Sequence, residues 1–166
     1  MATSHFRHIP RRNRARGLPS KLRRHSKRFR LALAEGNIEK QNKESIAAWE
    51  TMVKLFEILR GEQDLGNLTS EPMRTAIGHL VVCNSIDDQL AIMEQNKIDR
   101  SRSTELSLRG ALNKIAHWEN TDFRVDKRGA HYILLSGTHK QKKWVAEILI
   151  SKLCKSCSIA IAAITG

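Results

Sequence analysis

DFRVDKRGAHYILL, residues 122–135, decides the fold class. Asp122-Phe123-Arg124-Val125-Asp126 alternates polar and apolar side chains, the two-residue period of a strand with one buried face. Lys127-Arg128-Gly129 is turn-like, and His131-Tyr132-Ile133-Leu134-Leu135 is a second β-prone run. Two such runs around a glycine-containing turn predict a β-hairpin. Most of the remaining chain repeats its apolar residues at helical spacing, so the hairpin makes this a mainly α, α+β protein.

Working back towards the N-terminus, Ser103-Thr104-Glu105 reads as the cap of a helix along Leu108, Ala111, Leu112, Ile115 and Trp118. Upstream, Ser70-Glu71-Pro72 looks like a cap with proline in the first turn. It opens a helix through Met73, Ile77, Leu80, Cys83, Ile86, Leu90 and Met93, long enough to break near Asn84-Ser85 or Asp87-Asp88. Ile38 to Arg60 has helical period at Ile46, Trp49, Val53 and Phe56, widened by Met52, Leu55 and Leu59, and is expected to end at Gly61. Towards the C-terminus, Gly137 closes the hairpin. Lys140 to Leu153 returns to helical period through Trp144, Val145, Ile148 and Leu149. Ser158-Ile159-Ala160-Ile161 suits a third strand or a helix. The expected order is a three-helix body, a small hairpin and a C-terminal helix behind a disordered arm. The corresponding boundaries are 1–30, 31–121 and 122–166.

Charge follows a different division. The chain has 166 residues and a formal net charge of +12. Its first thirty residues hold eleven Lys or Arg and no Asp or Glu, whereas residues 31–123 carry ten basic against fifteen acidic side chains. Residues 124–166 are basic again, eight against two. A cationic arm on a nearly balanced body calls for a polyanion, of which nucleic acid is the commonest in a cell. Pro10, Gly17 and Pro19 interrupt the arm, so Met1 to Pro19 is expected to be disordered. The breaker-free stretch from Lys21 to Ala34 is expected to fold on binding or to continue into the body, with Gly36-Asn37 as its stop.

Several classes are disfavoured. The apolar runs Ile77–Cys83 and Ile159–Ile164 are far too short to span a bilayer. No hydrophobic segment follows the basic start, as a secretory signal would require. Three cysteines, an odd number, point to reduced thiols in an intracellular setting.

The candidate nucleic-acid contacts in the arm are Arg7, Arg11, Arg12, Arg14, Arg16, Lys21, Arg23, Arg24, Lys27, Arg28 and Arg30. The clusters resemble arginine-rich motifs of RNA-binding regulators and viral coat proteins, and also bipartite nuclear-import signals. Arginine outnumbers lysine nine to two, which suits forked contacts to phosphate and guanine edges. RNA is therefore expected ahead of DNA. A second basic block comprises Arg124, Lys127 and Arg128 in the hairpin, then Lys140, Lys142 and Lys143 at an expected helix start, where backbone N–H groups also favour phosphate. From about Leu106 to Leu153, the order helix, strands, then Gly-Thr-His-Lys-Gln-Lys-Lys-Trp-Val-Ala resembles the end of a double-stranded-RNA-binding domain. It has two evident strands where that fold has three and lacks the Lys-Lys-x-Ala-Lys spacing, so no family is assigned.

Trp144, beside these lysines, is the candidate for stacking on a base; its alternative is core packing, as for Trp49 and Trp118. Cys154 and Cys157 form half a zinc-site spacing that His117, His131 or His139 would have to complete. The same histidines, with Glu119, are the residues a small endoribonuclease would use as acid and base. No phosphate loop, nucleophile motif or cofactor signature accompanies them. The expected function is a non-enzymatic RNA-binding protein without cofactor, whose body self-associates through the Ile46–Leu59 stripe and which packages, protects or sequesters RNA. A nucleocapsid, coat or ribosome-associated protein is the structural alternative. The expected location is the nucleus, nucleolus or a cytoplasmic ribonucleoprotein particle, or a virion.

Overall fold

The computed structural model describes residues 12, 13 and 15–165. The expectation of disorder at residues 1–11 and 14 lies outside them. The chain is α+β and divides into two compact units, residues 1–75 with 154–166, and residues 76–153. Neither expected boundary, after residue 30 or after 121, coincides with these.

In the first unit, helix α1 (Leu18–Ala34) packs along helix α2 (Ile38–Asp64). Disorder expected up to Arg30 therefore gives way to helix over residues 18–30. Pro19, Leu22, Ser26, Phe29 and Ala32 fall on one side of α1 and are buried. On α2 the buried positions include Ala48, Met52, Leu55 and Leu59, each large side chain contributing roughly 1.5–3 kcal/mol of transfer free energy. The stop read at Gly36-Asn37 is where the chain turns. Gly36 adopts φ +68°, and the Asn37 N–H reaches back to the Ala32 carbonyl at 2.9 Å, closing the helix with a six-residue loop. The Asn37 side chain then accepts from the Lys40 N–H at 3.0 Å and caps α2. Helix α2 runs through Gly61 to Asp64. Its stop is Gly66, at φ +78°, followed by an Asn67 N–H to Glu62 carbonyl bond of 2.9 Å.

The second unit is built on a five-stranded antiparallel sheet in the order β2-β1-β5-β4-β3. The strands are β1 (Ala76–Val82), β2 (Thr104–Ser107), β3 (Asn120–Val125), β4 (His131–His139) and β5 (Lys142–Leu149). Helices α3 (Ile86–Gln95) and α4 (Leu108–Ala116) pack on it. The hairpin is present, with Val125 opposite His131 and Phe123 opposite Ile133. Its turn is held by the Asp126 carboxylate, which accepts from the N–H groups of Arg128 and Ala130, both at 2.9 Å.

Three expected helices are corrected. Pro72–Arg74 forms a single 3-10 turn, and Ala76–Val82 is strand β1, with helix starting only after the Asn84-Ser85 break. There the Ser85 hydroxyl caps α3 by accepting from the Asp88 N–H at 3.1 Å. Thr104–Ser107 is strand, so α4 is capped by Ser107 and ends before Trp118. Lys142–Leu149 is strand β5, and helix α5 (Ile150–Ala162) follows it, leaving Ser158–Ile161 helical. Strand β5 lies in the middle of the sheet, and Trp144 to Ile148 are all buried. A strand covered on both faces loses the alternation that would announce it. The turn into β5 is equally unannounced. His139 pairs with Lys142 across two residues, Lys140 at φ +48° and Gln141 at φ +66°, a two-residue hairpin with positive φ at both positions made without glycine or asparagine.

Candidate nucleic-acid interface

The spacing of Leu22, Ser26, Phe29 and Ala32 turns one face of α1 inwards, and the remaining positions are mostly basic. Arg23, Arg24, Lys27, Arg28 and Arg30 are all exposed, while Lys21 is half-buried. From residue 23 to 30 these cations occupy about 10 Å of helix at 1.5 Å per residue. Arg24 and Arg28, like Arg23 and Lys27, are one turn apart on neighbouring rows. Neutralisation within the unit is slight. Glu44 of α2 takes His25 at 2.6 Å and stands 4.0 Å from the Arg28 guanidinium. Among the described residues Arg23, Arg24 and Lys27 have no acidic partner within 4.0 Å. Further towards the N-terminus, Arg16 is exposed, and the Arg12 guanidinium donates to the carbonyl of Ala162, at the end of α5, at 3.3 Å. Cations at a helix C-terminus satisfy its last carbonyls. Arg7, Arg11 and Arg14 lie outside the described residues.

The second basic block is not one site. Lys127 and Arg128 sit in the turn before β4, Lys140 lies in the turn after it and Lys142 opens β5; all four are exposed. The nine residues of β4 hold these groups apart, by about 25 Å at 3.3 Å per residue. Lys143 is half-buried, donating to the Thr138 hydroxyl at 2.8 Å, with Glu119 at 3.8 Å. The helix N-terminus expected beneath these lysines is a strand end, so it offers no helical anion site. Arg124 is engaged too: its guanidinium donates to Glu147 at 2.7 Å and lies 4.3 Å over the Tyr132 ring.

Trp144 is only 3% exposed, and the Lys114 ammonium covers its ring at 4.2 Å. Burial holds the Lys114 pKa below its ordinary value. The geometry assigns Trp144 to packing, opposite Gly137, where any Cβ would overlap its ring. The histidines do not converge. His131 is buried against Phe123 at one end of β4, His139 is exposed at the other end, and His117 is exposed at the end of α4. Cys154 and Cys157 are buried on one side of α5. Burial pushes the Cys154 thiol up to about 11 and Cys157 higher still. Among the described residues no three His, Cys, Asp or Glu side chains gather as a metal site.

Sequence reasoning missed two residues that organise the second unit. Glu147, 2% exposed, takes Arg124 on one oxygen and Arg100, 3.5 Å away, on the other. Gln89 of α3 is buried and donates to the carbonyls of Gly137 and Trp144 at 2.9 and 3.0 Å, tying the helix to β4 and β5. An acidic residue in an apolar run, Trp-Val-Ala-Glu-Ile-Leu, was the available signal for Glu147, since a buried carboxylate needs a cation. No described helix is long and apolar enough to cross a membrane. Comparison with protein-family profiles, curated proteins and solved structures found no significant match to this chain.

Proposed function

We propose that this protein binds nucleic acid without catalysing a reaction, RNA ahead of DNA, and that it packages, protects or sequesters the RNA in a ribonucleoprotein particle. One observation carries the reading: the basic residues of α1 are sorted onto its exposed face, while its apolar residues are buried. Phosphates neutralised along that face would release condensed counterions, which is the source of affinity for a polyanion. Arginine forks add contacts to guanine edges and to the irregular grooves of folded RNA. Arg7, Arg11, Arg14 and Arg16 would extend the contact, and Lys127, Arg128, Lys140 and Lys142 would add separate, weaker ones.

The body is proposed to self-associate through α2. Three of the seven residues of its wide apolar stripe, Met52, Leu55 and Leu59, are buried within the unit. On the adjacent face Ile46 is 60% exposed, and Trp49, Val53 and Phe56 are half-buried. Such a strip suits a second copy of the chain.

The test is competition binding of the full chain between structured RNA, single-stranded RNA and duplex DNA of equal phosphate number, alongside nuclease protection. The proposal expects RNA to win and to be protected. Equal affinity for all three would reduce α1 to a charge sensor, and RNA cleavage by the pure protein would overturn the non-enzymatic reading.

A further inference from the structure

The second unit holds a cleft to which no residue of α1 contributes. Its cavity is about 660 Å³ and is bounded by Lys97, Ile98, Arg100, Arg124, Tyr132 and Glu147. That size is ordinary for a small-molecule site, where pockets run from about 300 to 1,000 Å³. Cations and carboxylates are present in equal numbers, but they are not equally available. Glu147 is filled by Arg124 and Arg100. Asp99 accepts from the Ser101 N–H and hydroxyl, at 2.9 and 2.7 Å, and holds the 3-10 turn Arg100–Arg102. One oxygen of Asp126 takes both N–H groups of the hairpin turn. The two cations at the mouth are freer. Arg100 is 58% exposed and shares only a 3.5 Å contact with Glu147, although a guanidinium has five N–H donors. Lys97 is exposed and among the described residues has no acidic partner within 4.0 Å. Unfilled hydrogen-bond donors are therefore concentrated at the mouth, on Arg100 and Lys97, although the six charges of the lining sum to zero. Behind them lies one flat surface, the Arg124 guanidinium stacked 4.3 Å over the Tyr132 ring.

We propose that this cleft binds a nucleotide, its phosphate on Arg100 and Lys97 and its base against the stacked pair of Tyr132 and Arg124. An anion alone would use the first pair, and only a ligand joining an anion to a planar ring uses both. Arginine planes and tyrosine rings both stack on bases. The nucleotide is either a free monophosphate or the 5′-terminal residue of a strand. The site is formed by residues of the second unit alone.

Calorimetric titration of the full chain with the four nucleoside 5′-monophosphates tests this, with an α1 variant as the control for binding to that helix. At least one nucleotide should saturate with a Kd on the order of 0.1 mM. Lys97→Gln with Arg100→Gln, which leaves Arg124 in place on Glu147 and whose folding is checked by its melting curve, should weaken it about tenfold or more, as for lost charge-assisted hydrogen bonds. Arg23→Gln with Arg24→Gln and Lys27→Gln should leave it unchanged, so failure of the helix reading and failure of this one are separable. An oligonucleotide with a 5′-phosphate that outcompetes its 5′-hydroxyl counterpart and the free nucleotide would identify a strand end; tighter binding of the monophosphate would identify the free nucleotide. The proposal is overturned if no monophosphate saturates below about 10 mM, if the Lys97–Arg100 variant binds like the wild type, or if inorganic phosphate binds as tightly as the nucleotides.

Discussion

The two basic blocks look alike as text and come to different ends in the fold. In α1, five cations between residues 23 and 30 emerge on one exposed face, because the apolar residues between them follow the helical period and claim the other. In the second block, six cations over twenty residues are scattered by a strand and two turns, with Arg124 held by Glu147 and Lys143 by Thr138. Charge density along a chain is thus a poor measure of a binding surface. The local period decides whether the charges add at one place. A basic side chain facing a buried carboxylate serves the fold instead.

This contrast can be broken at several points, and the largest effect belongs to the engaged cations. Glu147→Ala would strand Arg124, whose side chain is 20% exposed, and should cost about 3 kcal/mol in urea denaturation, since removing one partner of a buried pair leaves the other uncompensated. Neutralising Arg23, Arg24 and Lys27 should by comparison change stability by less than about half a kcal/mol per site. Gly137→Ala comes next. The added Cβ would meet the Trp144 ring and the His117 carbonyl, and overpacking of that kind costs about 1–3 kcal/mol. Ile46→Glu should shift sedimentation towards monomer without unfolding the chain; a wild type already monomeric at high concentration would remove the oligomer proposal. The smallest effect is at Asp88, which the Arg102 guanidinium, at 2.6 and 3.0 Å, and the Asn84 N–H hold down to about 2. Because the folded value lies below the ordinary carboxylate value of 3.8, this pair stabilises the fold above that pH. The contribution fades as pH falls towards 2, and Asp88→Asn should flatten the acid limb of the melting curve there.

How much of this was readable varies with burial. The hairpin at β3 and β4 was legible because β3 is half-exposed and alternates, and because Gly129 marks its turn. Gly36-Asn37 was legible for the same local reason, a residue that tolerates positive φ after a helical run. Strands β1 and β5 were not. Both faces of β5 are covered, so Trp144, Val145, Ile148 and Leu149 satisfy a helical spacing as well as a strand, and the Lys140-Gln141 turn carries no glycine to arbitrate. For α1 the density of arginine masked a weak apolar period, Leu22, Ser26, Phe29, Ala32, in which one member is a serine. Of the candidate interface, the residue types in α1 were legible and their shared face was not. The grouping of Arg100, Arg124 and Glu147 depends on pairing of distant strands and a loop, which no local pattern encodes.

The exposed face of α1 is proposed to carry the affinity for nucleic acid. Its most direct test is the dependence of RNA affinity on salt for the full chain and for the variant with Arg23, Arg24, Lys27 and Arg28 all changed to Gln. The account predicts that the log–log slope falls by about three to four, close to one per lost phosphate contact, with the melting curve preserved. Equal slopes for the two proteins would contradict it.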